Sequence, residues 1–190
     1  MPTLVDDGRA TIDSSVICEY LEETAPRSGT RLMPDTAYGR ATVRAWLRHI
    51  EEVPTTAIRI SSFNGLFLEG WKRIGEQGRA RFIGMTPLRK GHYRRFGAEG
   101  FSKDQMDESM ERLRQTVERI DAAVAKSQWV AGDDISLADL CVLPTIVRMT
   151  DIHLEHVWQG LHHFQDWYDR IKARPSFAKA FYPEAHVALS

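Results

Sequence analysis

The sequence predicts a mostly α-helical protein that opens with a β-hairpin and one helix and continues as an all-helical body. Two short β-favouring runs flank the dipeptide Asp7-Gly8 near the start of the chain. Beyond them, apolar residues recur at three- and four-residue steps over most of the 190 residues. The composition, with 43% hydrophobic and 27% charged residues, is that of an ordinary folded protein. We therefore predict a small unit at residues 1–27 and a helical domain at residues 35–185.

The first unit should bring a helix N-terminus directly to the end of a hairpin. Residues 3–5 and 10–12 are the two strand candidates, and Asp7-Gly8 tolerates the positive φ angles of a tight turn. Three capping side chains then precede an apolar helical face: Asp13, Ser14 and Ser15, followed by Val16, Ile17, Tyr20 and Leu21. This arrangement gathers unpaired backbone N–H groups, the positive end of a helix dipole and a serine hydroxyl at one point. Such a point suits a carboxylate ligand.

The helical domain divides at prolines and capping residues. Asp35 is a candidate N-cap for a periodic run that Pro54 should kink before the pattern resumes. A second long helix should begin at Ser102 or Asp104, and its periodicity is the strongest in the chain. Shorter helices are expected from Ser136, from about Leu161 and from about Ser176, with Arg174-Pro175 separating the last two.

The helix that follows Ser136 carries a capping box. The Ser136 side chain can accept from the Asp139 backbone N–H while the Asp139 carboxylate reaches back to the Ser136 N–H. Ile135 and Leu140 are placed as a hydrophobic staple. We expect Ser136 and Asp139 to serve folding rather than chemistry.

Two strings resemble the glutathione S-transferase superfamily: M-P-T-L-V-D-D-G-R-A-T-I-D-S-S-V-I-C-E-Y-L-E-E at the start, and W-V-A-G-D-D-I-S-L-A-D-L from Trp129. The family's thioredoxin-like domain carries a cis-proline before its third strand, then a hairpin, then an acidic residue and a serine that open its third helix. Pro2, Asp13 and Ser14 match those positions. The second string resembles the buried capping motif of the family's sixth helix. Together with R-L-M-P-D after the first unit, the string S-S-V-I-C-E-Y-L-E-E looks most like bacterial members near the β-aryl-etherase branch.

The resemblance implies a fold, a co-substrate and a set of binding residues. It implies a partial thioredoxin-like piece followed by the all-α C-terminal domain of a glutathione transferase, with glutathione as co-substrate, no metal, and a homodimer. Ser14 would hold the γ-glutamyl carboxylate, Asp13 would meet the amino group, and Met1, before Pro2, would pair its backbone with the cysteinyl part. The family's thiol-activating serine, tyrosine or cysteine follows the first strand, whereas this sequence matches from the third. We therefore expect an N-terminally truncated chain with no catalytic residue and weak or no activity.

The electrophile site should lie beyond the Pro54 kink. Phe63 and Phe67, four residues apart, are expected to form an apolar wall above the glutathione thiol, and Arg48 or Arg59 can project into the same space. Between residues 65 and 100 lies an irregular, glycine-punctuated stretch that holds the one basic patch of the sequence. That stretch is either a lid that attracts an anionic ligand or a solvated connector without a ligand.

Other classes of function have little support. A net charge of -1 offers no general attraction for nucleic acid or anionic membrane, and no apolar run reaches the length of a bilayer span. The histidines between 153 and 163 lack a recognised metal-ligand pattern. Cys18 and Cys141 are expected to be small buried thiols in a reducing, cytoplasmic setting. Two functions stay open: an enzyme that transfers glutathione to an apolar electrophile by conjugation or by ether or halide cleavage, and a non-catalytic glutathione- or partner-binding helical module.

Overall fold

A computed structural model describes residues 2–24, 29–86 and 90–182 of the chain. Strands β1 (Thr3–Asp6) and β2 (Arg9–Ile12) form an antiparallel hairpin in which Thr3 lies opposite Ile12 and Asp6 opposite Arg9. Asp7 and Gly8 both have positive φ angles, 46° and 74°, as a two-residue hairpin turn requires. Helix α1 (Ser14–Thr24) follows at once and is joined to β1 by a 2.6 Å hydrogen bond from the Tyr20 hydroxyl to Asp6. The predicted hairpin and helix are confirmed.

The rest of the described chain is helical, which confirms the predicted fold class. Its longer helices are α2 (Ala37–Glu52), α3 (Pro54–Ser62), α5 (Gly75–Met85), α7 (Lys103–Val124), α8 (Leu137–Asp151) and α9 (His162–Lys172). Shorter elements complete the body: a π-helical turn (Phe63–Phe67), α4 (Leu68–Arg73), α6 (Lys90–Phe96), a 3-10 turn (Glu155–Trp158) and α10 (Pro175–Ala180).

Local chemistry sets the boundaries of these helices. Pro54 occupies the first position of α3, where its missing N–H is not needed, so the expected kink appears as a break between α2 and α3. Asp35 was expected to cap α2, but the N-cap is Thr36, whose hydroxyl accepts from the Gly39 N–H at 3.0 Å. Ser102 caps α7 and completes a capping box with Gln105. Pro144 lies inside α8. The sequence did not mark this proline as a boundary, because the helical pattern continues on both sides of it.

One large core lies among α2, α3, α7, α8 and α9. Its largest fully buried side chains come from all of these helices except α3 and include Ile50, Leu113, Ile120, Ile146, Met149, Phe164 and Trp167. The amphipathic face of α7 lies near its centre, which explains the strong periodicity of that segment. Within the described ranges, no helix combines the length and apolar character needed to cross a bilayer.

The stretch between residues 65 and 100 is not the irregular loop that the sequence reading expected. It contains the end of the π-helical turn and α4, α5 and α6, and it builds a second, aromatic core of Trp71, Tyr93, Phe96 and Phe101. The Trp71 and Tyr93 rings are stacked with centroids 5.8 Å apart, and the Trp71 indole N–H donates to the Gly97 carbonyl at 2.6 Å. This core has no periodic signature in the sequence, because the apolar residues that pack together lie far apart and are separated by glycines and arginines.

Candidate functional site

A hollow of about 380 Å³ lies where α1 meets the helical body, and we call it the cleft. The N-terminus of α1, the α2–α3 break, the π-helical turn and the middle of α8 supply its walls. The lining residues are Ser14, Glu51, Thr55, Ile58, Arg59, Ser62, Phe63, Phe67, Cys141, Pro144, Thr145 and Arg148. Serine, threonine, carboxylate and guanidinium groups therefore face the same space as aromatic rings, which is the make-up of a small-molecule site.

The cleft brings together residues that the sequence assigned to two halves of one site. Ser14 comes from the glutathione set, and Arg59, Phe63 and Phe67 come from the electrophile set. Arg48, the alternative to Arg59, is instead exposed on the surface of α2 and pairs with Glu52 at 3.8 Å. Of the remaining residues in the glutathione set, Pro2 is exposed ahead of β1, and Met1 lies outside the described residues.

The corner at the start of α1 is held by Asp13 in a strained backbone conformation. Its φ angle is 76°, in the left-handed region that side chains other than Asn and Asp rarely adopt. Asp13 Oδ1 accepts from the Ser15 hydroxyl at 2.7 Å, from the Ser15 N–H at 3.1 Å and from the Val16 N–H at 3.4 Å. The Ser15 hydroxyl bond is the main cause that keeps the pKa of Asp13 below its ordinary value.

This cap corrects one part of the sequence reading. The N–H groups of Ser15 and Val16 were expected to be unpaired and open to a ligand, but the Asp13 carboxylate already accepts from both. What the corner offers to the cleft is Ser14, together with the positive end of the α1 dipole.

Two polar residues of the cleft were not singled out from the sequence. Burial raises the pKa of Glu51, and the nearby negative charge of Asp13 adds to the rise while Arg59 opposes it. Ser62 is buried at 6% exposure, and its hydroxyl has no hydrogen-bond partner among the described residues. A buried hydroxyl of this kind is costly unless a ligand or water completes it. No sequence signal marks Glu51 or Ser62, since each looks like an ordinary helical position.

The α8 wall of the cleft is fixed by the capping box. Asp139 is fully buried, and its Oδ2 accepts from the Ser136 N–H at 2.9 Å and from the Ser136 hydroxyl at 3.0 Å. Its Oδ1 accepts from the Val130 N–H at 3.0 Å and from the Trp167 indole N–H at 2.9 Å. Burial raises the pKa of Asp139, and these four hydrogen bonds oppose the rise. The box thereby joins the start of α8 to the preceding loop and to α9.

A second hollow, which we call the aromatic hollow, adjoins the cleft. It has a volume of about 460 Å³ and is lined by Phe63, Phe67, Gly70, Trp71, Ile74, Phe82 and Tyr93. Phe63 and Phe67 line both spaces and contact each other with ring centroids 5.1 Å apart. The predicted apolar wall therefore continues into a larger aromatic surface, which the sequence reading did not foresee because it treated residues 65–100 as a connector.

Among the described residues, no group of three or more histidine, cysteine, aspartate or glutamate side chains is placed to hold a metal ion. The histidines between 153 and 163 lie in and around the 3-10 turn and the start of α9, away from the cleft.

Comparison with known proteins identifies the family from the sequence and the same fold from the structure. The family model for the glutathione S-transferase C-terminal domain matches residues 82–175, and the model for the N-terminal domain matches residues 1–29. Protein LigF of Sphingobium sp. (strain NBRC 103272 / SYK-6) is 27% identical, with 95% of this chain and 73% of that protein covered. Glutathione S-transferase F10 of Arabidopsis thaliana is 26% identical, over 93% of this chain and 71% of that protein.

Two solved structures show the shared fold. The β-etherase LigF from Sphingobium sp. strain SYK-6 superposes with a TM-score of 0.81 at 24% identity, covering 94% of this chain and 76% of that chain. Glutathione transferase F7 from Populus trichocarpa superposes with a TM-score of 0.69 at 23% identity, covering 94% and 72%. The two family models and these relatives agree, and the chain belongs to the glutathione S-transferase family.

Proposed function

We propose that this protein binds glutathione and transfers it to an apolar electrophile, either by conjugation or by cleavage of an ether or halide, and that it does so slowly because we assign no residue of the chain to activation of the glutathione thiol. One observation carries the proposal: the cleft places Ser14 at a helix N-terminus within the same space as the Phe63 and Phe67 rings. A charged peptide and an apolar molecule can therefore be held side by side. The likeness to LigF, whose solved structure is described as a β-etherase, favours an aryl ether as the electrophile.

The polar end of the cleft suits the zwitterionic glutamyl group of glutathione. Ser14 and the positive end of the α1 dipole would hold the carboxylate. Asp13 lies close enough to Glu51 for its negative charge to raise the pKa of the Glu51 carboxyl, and the two acidic groups together would receive the ammonium group. The Ser62 hydroxyl, which has no partner among the described residues, is available to a polar atom of the tripeptide.

The apolar end would hold the electrophile and its leaving group. Phe63 and Phe67 offer ring faces, and the aromatic hollow beyond them has room for a second ring of an aryl ether. In the transfer step the glutathione thiol loses its proton to solvent and its sulfur forms a bond to the electrophilic carbon. The leaving group departs with the electron pair of the broken bond, and an alkoxide or phenolate then takes up a proton. Arg59 and Arg148 line the same cleft, and their guanidinium groups would stabilise the negative charge that develops on that leaving group.

Calorimetry with glutathione tests the polar half of this proposal. Ser14→Ala should weaken binding about tenfold, the usual effect of losing one hydrogen bond to a charged group. The control is Ser176→Ala, an exposed serine on α10 that is remote from the lining residues of the cleft. Equal glutathione affinity of Ser14→Ala and the wild type would contradict the assigned corner.

Turnover assays test the apolar half. Phe67→Ala should raise KM for an aryl ether or aryl halide, because Phe67 is 45% exposed and offers its ring to the cleft. Glutathione binding without turnover of either substrate type would favour the non-catalytic binding module instead. We also expect a homodimer, as in the family resemblance, and light scattering of the purified protein measures this directly.

A further inference from the structure

Four large apolar side chains stand exposed around the mouth of the aromatic hollow, and we call them the apolar rim. They are Phe67, Ile74, Phe82 and Met85, with exposed fractions of 45%, 47%, 41% and 72%. The first three line the hollow itself, and Met85 lies one helical turn beyond Phe82 on the same side of α5. Helix α5 has 11 residues, all of which the structure describes, and none of them is buried. An exposed apolar patch of this kind marks an interaction site.

The apolar rim is held in place by the aromatic core behind it. The Phe82 ring packs edge-on against Trp71 and Tyr93, with ring centroids 5.7 and 5.0 Å apart. Ile74 and Phe82 lie two turns apart on one side of α5, and Gly78 stands between them. A Cβ atom at Gly78 would lie 2.9 Å from Ile74 Cβ, which places both residues on that side. The exposed side chains therefore form one fixed surface.

Positive charge is concentrated on the same part of the chain. Residues 67–86 and 90–99 hold seven lysines and arginines against three glutamates, whereas the whole chain has a net charge of -1. The remaining residues are therefore net negative. Four of these cations are exposed on α4, α5 and α6, and we call them the basic rim: Arg73, Arg81, Lys90 and Arg94.

The basic rim borders the apolar rim. Arg73 directly precedes Ile74, and Arg81 directly precedes Phe82 and lies one turn before Met85. On α6, Lys90 and Arg94 lie one turn apart and flank Tyr93, which lines the aromatic hollow. Cations therefore stand on both helices that enclose the exposed apolar side chains.

We propose that the two rims form a docking surface for an anionic phospholipid bilayer. The apolar rim enters the boundary between headgroups and acyl chains, and the basic rim contacts the lipid phosphates. Burial of apolar area and attraction of the cations both favour this arrangement. The long stems of arginine and lysine let their charges stay at headgroup level while the apolar side chains lie deeper. The net negative remainder of the chain is repelled by the same surface, so the mouth of the aromatic hollow faces the lipid.

A bilayer matches this surface better than a nucleic acid does. A nucleic acid would satisfy the basic rim, but Ile74 and Met85 are aliphatic and offer no ring on which a base can stack. A bilayer presents phosphates above apolar chains and so complements both rims at once. Docking itself does not depend on glutathione transfer. If the proposed function holds, an apolar electrophile dissolved in the bilayer reaches the aromatic hollow directly.

Cosedimentation of the full chain with lipid vesicles tests the proposal. Phosphatidylcholine vesicles that contain about one third phosphatidylglycerol should bind the wild type, pure phosphatidylcholine vesicles should not, and high salt should release the protein. Met85→Asp should weaken binding about tenfold or more, because it removes apolar area and adds a repelled charge. Arg81→Gln, Lys90→Gln and Arg94→Gln together should weaken it about a hundredfold, at about fivefold for each cation.

Matched variants outside the rims are the controls. Tyr38→Asp replaces a side chain that is 85% exposed on α2, and Arg48→Gln, Lys126→Gln and Lys179→Gln together remove the same charge from other exposed positions. Both controls should bind as the wild type does. Absence of wild-type binding, equal binding to pure phosphatidylcholine, retention on duplex DNA instead of vesicles, or equal weakening by the control variants would each overturn the proposal.

Glutathione calorimetry without lipid keeps this test separate from the proposed function. Met85, Arg81, Lys90 and Arg94 line neither the cleft nor the aromatic hollow, so their variants should keep wild-type affinity for glutathione. If the glutathione site were wrongly assigned, vesicle binding would persist. The wild-type sedimentation decides the matter even where a variant folds poorly.

Discussion

Substitution of Asp139 should destabilise the fold by an amount that follows from its four hydrogen bonds. In Asp139→Asn the remaining oxygen can keep the Val130 N–H and Trp167 indole N–H bonds, but the new NH₂ group then faces the Ser136 N–H. The Ser136 hydroxyl can rotate to accept, whereas the backbone N–H cannot. One buried donor is left without an acceptor, which costs about 1–3 kcal/mol.

Asp139→Ala removes every acceptor from the same group of donors. Two backbone N–H groups and the Trp167 indole are then unpaired, so we expect a loss of about 3–5 kcal/mol after part of the cost is offset by removing a buried charge. For a chain of this size these losses lower Tm by about 4–8 °C for the asparagine variant, taking about 2 kcal/mol, and by about 8–16 °C for the alanine variant, taking about 4 kcal/mol.

Thermal unfolding followed by circular dichroism measures both losses. The matched control is Asp104→Asn, which changes an exposed carboxylate in the first turn of α7. If the Tm of Asp139→Asn falls no further than that of Asp104→Asn, the four hydrogen bonds do not stabilise the fold as argued. Because α8 carries Cys141 and Arg148 into the cleft, the asparagine variant should also bind glutathione more weakly at temperatures near its transition.

Three further predictions concern the cleft and its supports. The Ser15 hydroxyl bond lowers the pKa of Asp13 below 3.8, so the ionised carboxylate stabilises the folded state. Urea titrations should therefore show the wild type to be more stable than Asp13→Asn above pH 3.8, and this difference should disappear as the pH falls further. The neighbouring Cys141 thiol lowers the pKa of Cys18 to about 7, so alkylation of Cys18 should accelerate with a midpoint near pH 7 and shift toward 9 in Cys141→Ala. Asn64→Ala removes a side chain that hydrogen-bonds a backbone N–H and a backbone C=O, and urea unfolding should show a loss of about 1–3 kcal/mol.

Local sequence signals were sufficient for the elements whose chemistry is local. The Asp7-Gly8 turn, the α1 start at Ser14 and the Pro54 break each depend on backbone geometry that a few neighbouring residues decide. The same holds for the long helix from Ser102, where the buried face repeats without interruption.

Features that depend on distant packing could not be found in the same way. The aromatic core joins Trp71 on α4 to Tyr93 and Phe96 on α6. Glycine and arginine residues interrupt the sequence between these two short helices. Cys18 and Cys141 stand on neighbouring helices only because α1 lies against α8. A single sequence contains no signal for such a contact, because each thiol looks like an ordinary small apolar residue in its own helix.

The π-helical turn that presents Phe63 and Phe67 depends on a close approach that only glycine permits. Gly100 has a φ angle of 90°, and a Cβ atom there would lie 2.7 Å from Asn64 Oδ1 and 3.1 Å from Leu68 Cδ1. The Asn64 side chain hydrogen-bonds the backbone N–H and C=O of Phe101, and we call this pair of bonds the Asn64 bridge. Gly100→Ala should displace the Asn64 bridge. It should also strain the backbone at residue 100, which alone costs about 1–2 kcal/mol.

Gly97→Ala is the matched control, since Gly97 also has a positive φ angle, 62°, but has open space where a Cβ would stand. Both variants should lose stability from backbone strain, but only Gly100→Ala should also weaken binding of an aromatic ligand, because it moves the turn that carries the Phe63 and Phe67 wall. Ligand affinity is measured by calorimetry below the transition temperature of both variants. Equal affinity of the two variants would mean that the Asn64 bridge does not position the wall, and that the cleft keeps its shape through the surrounding core alone.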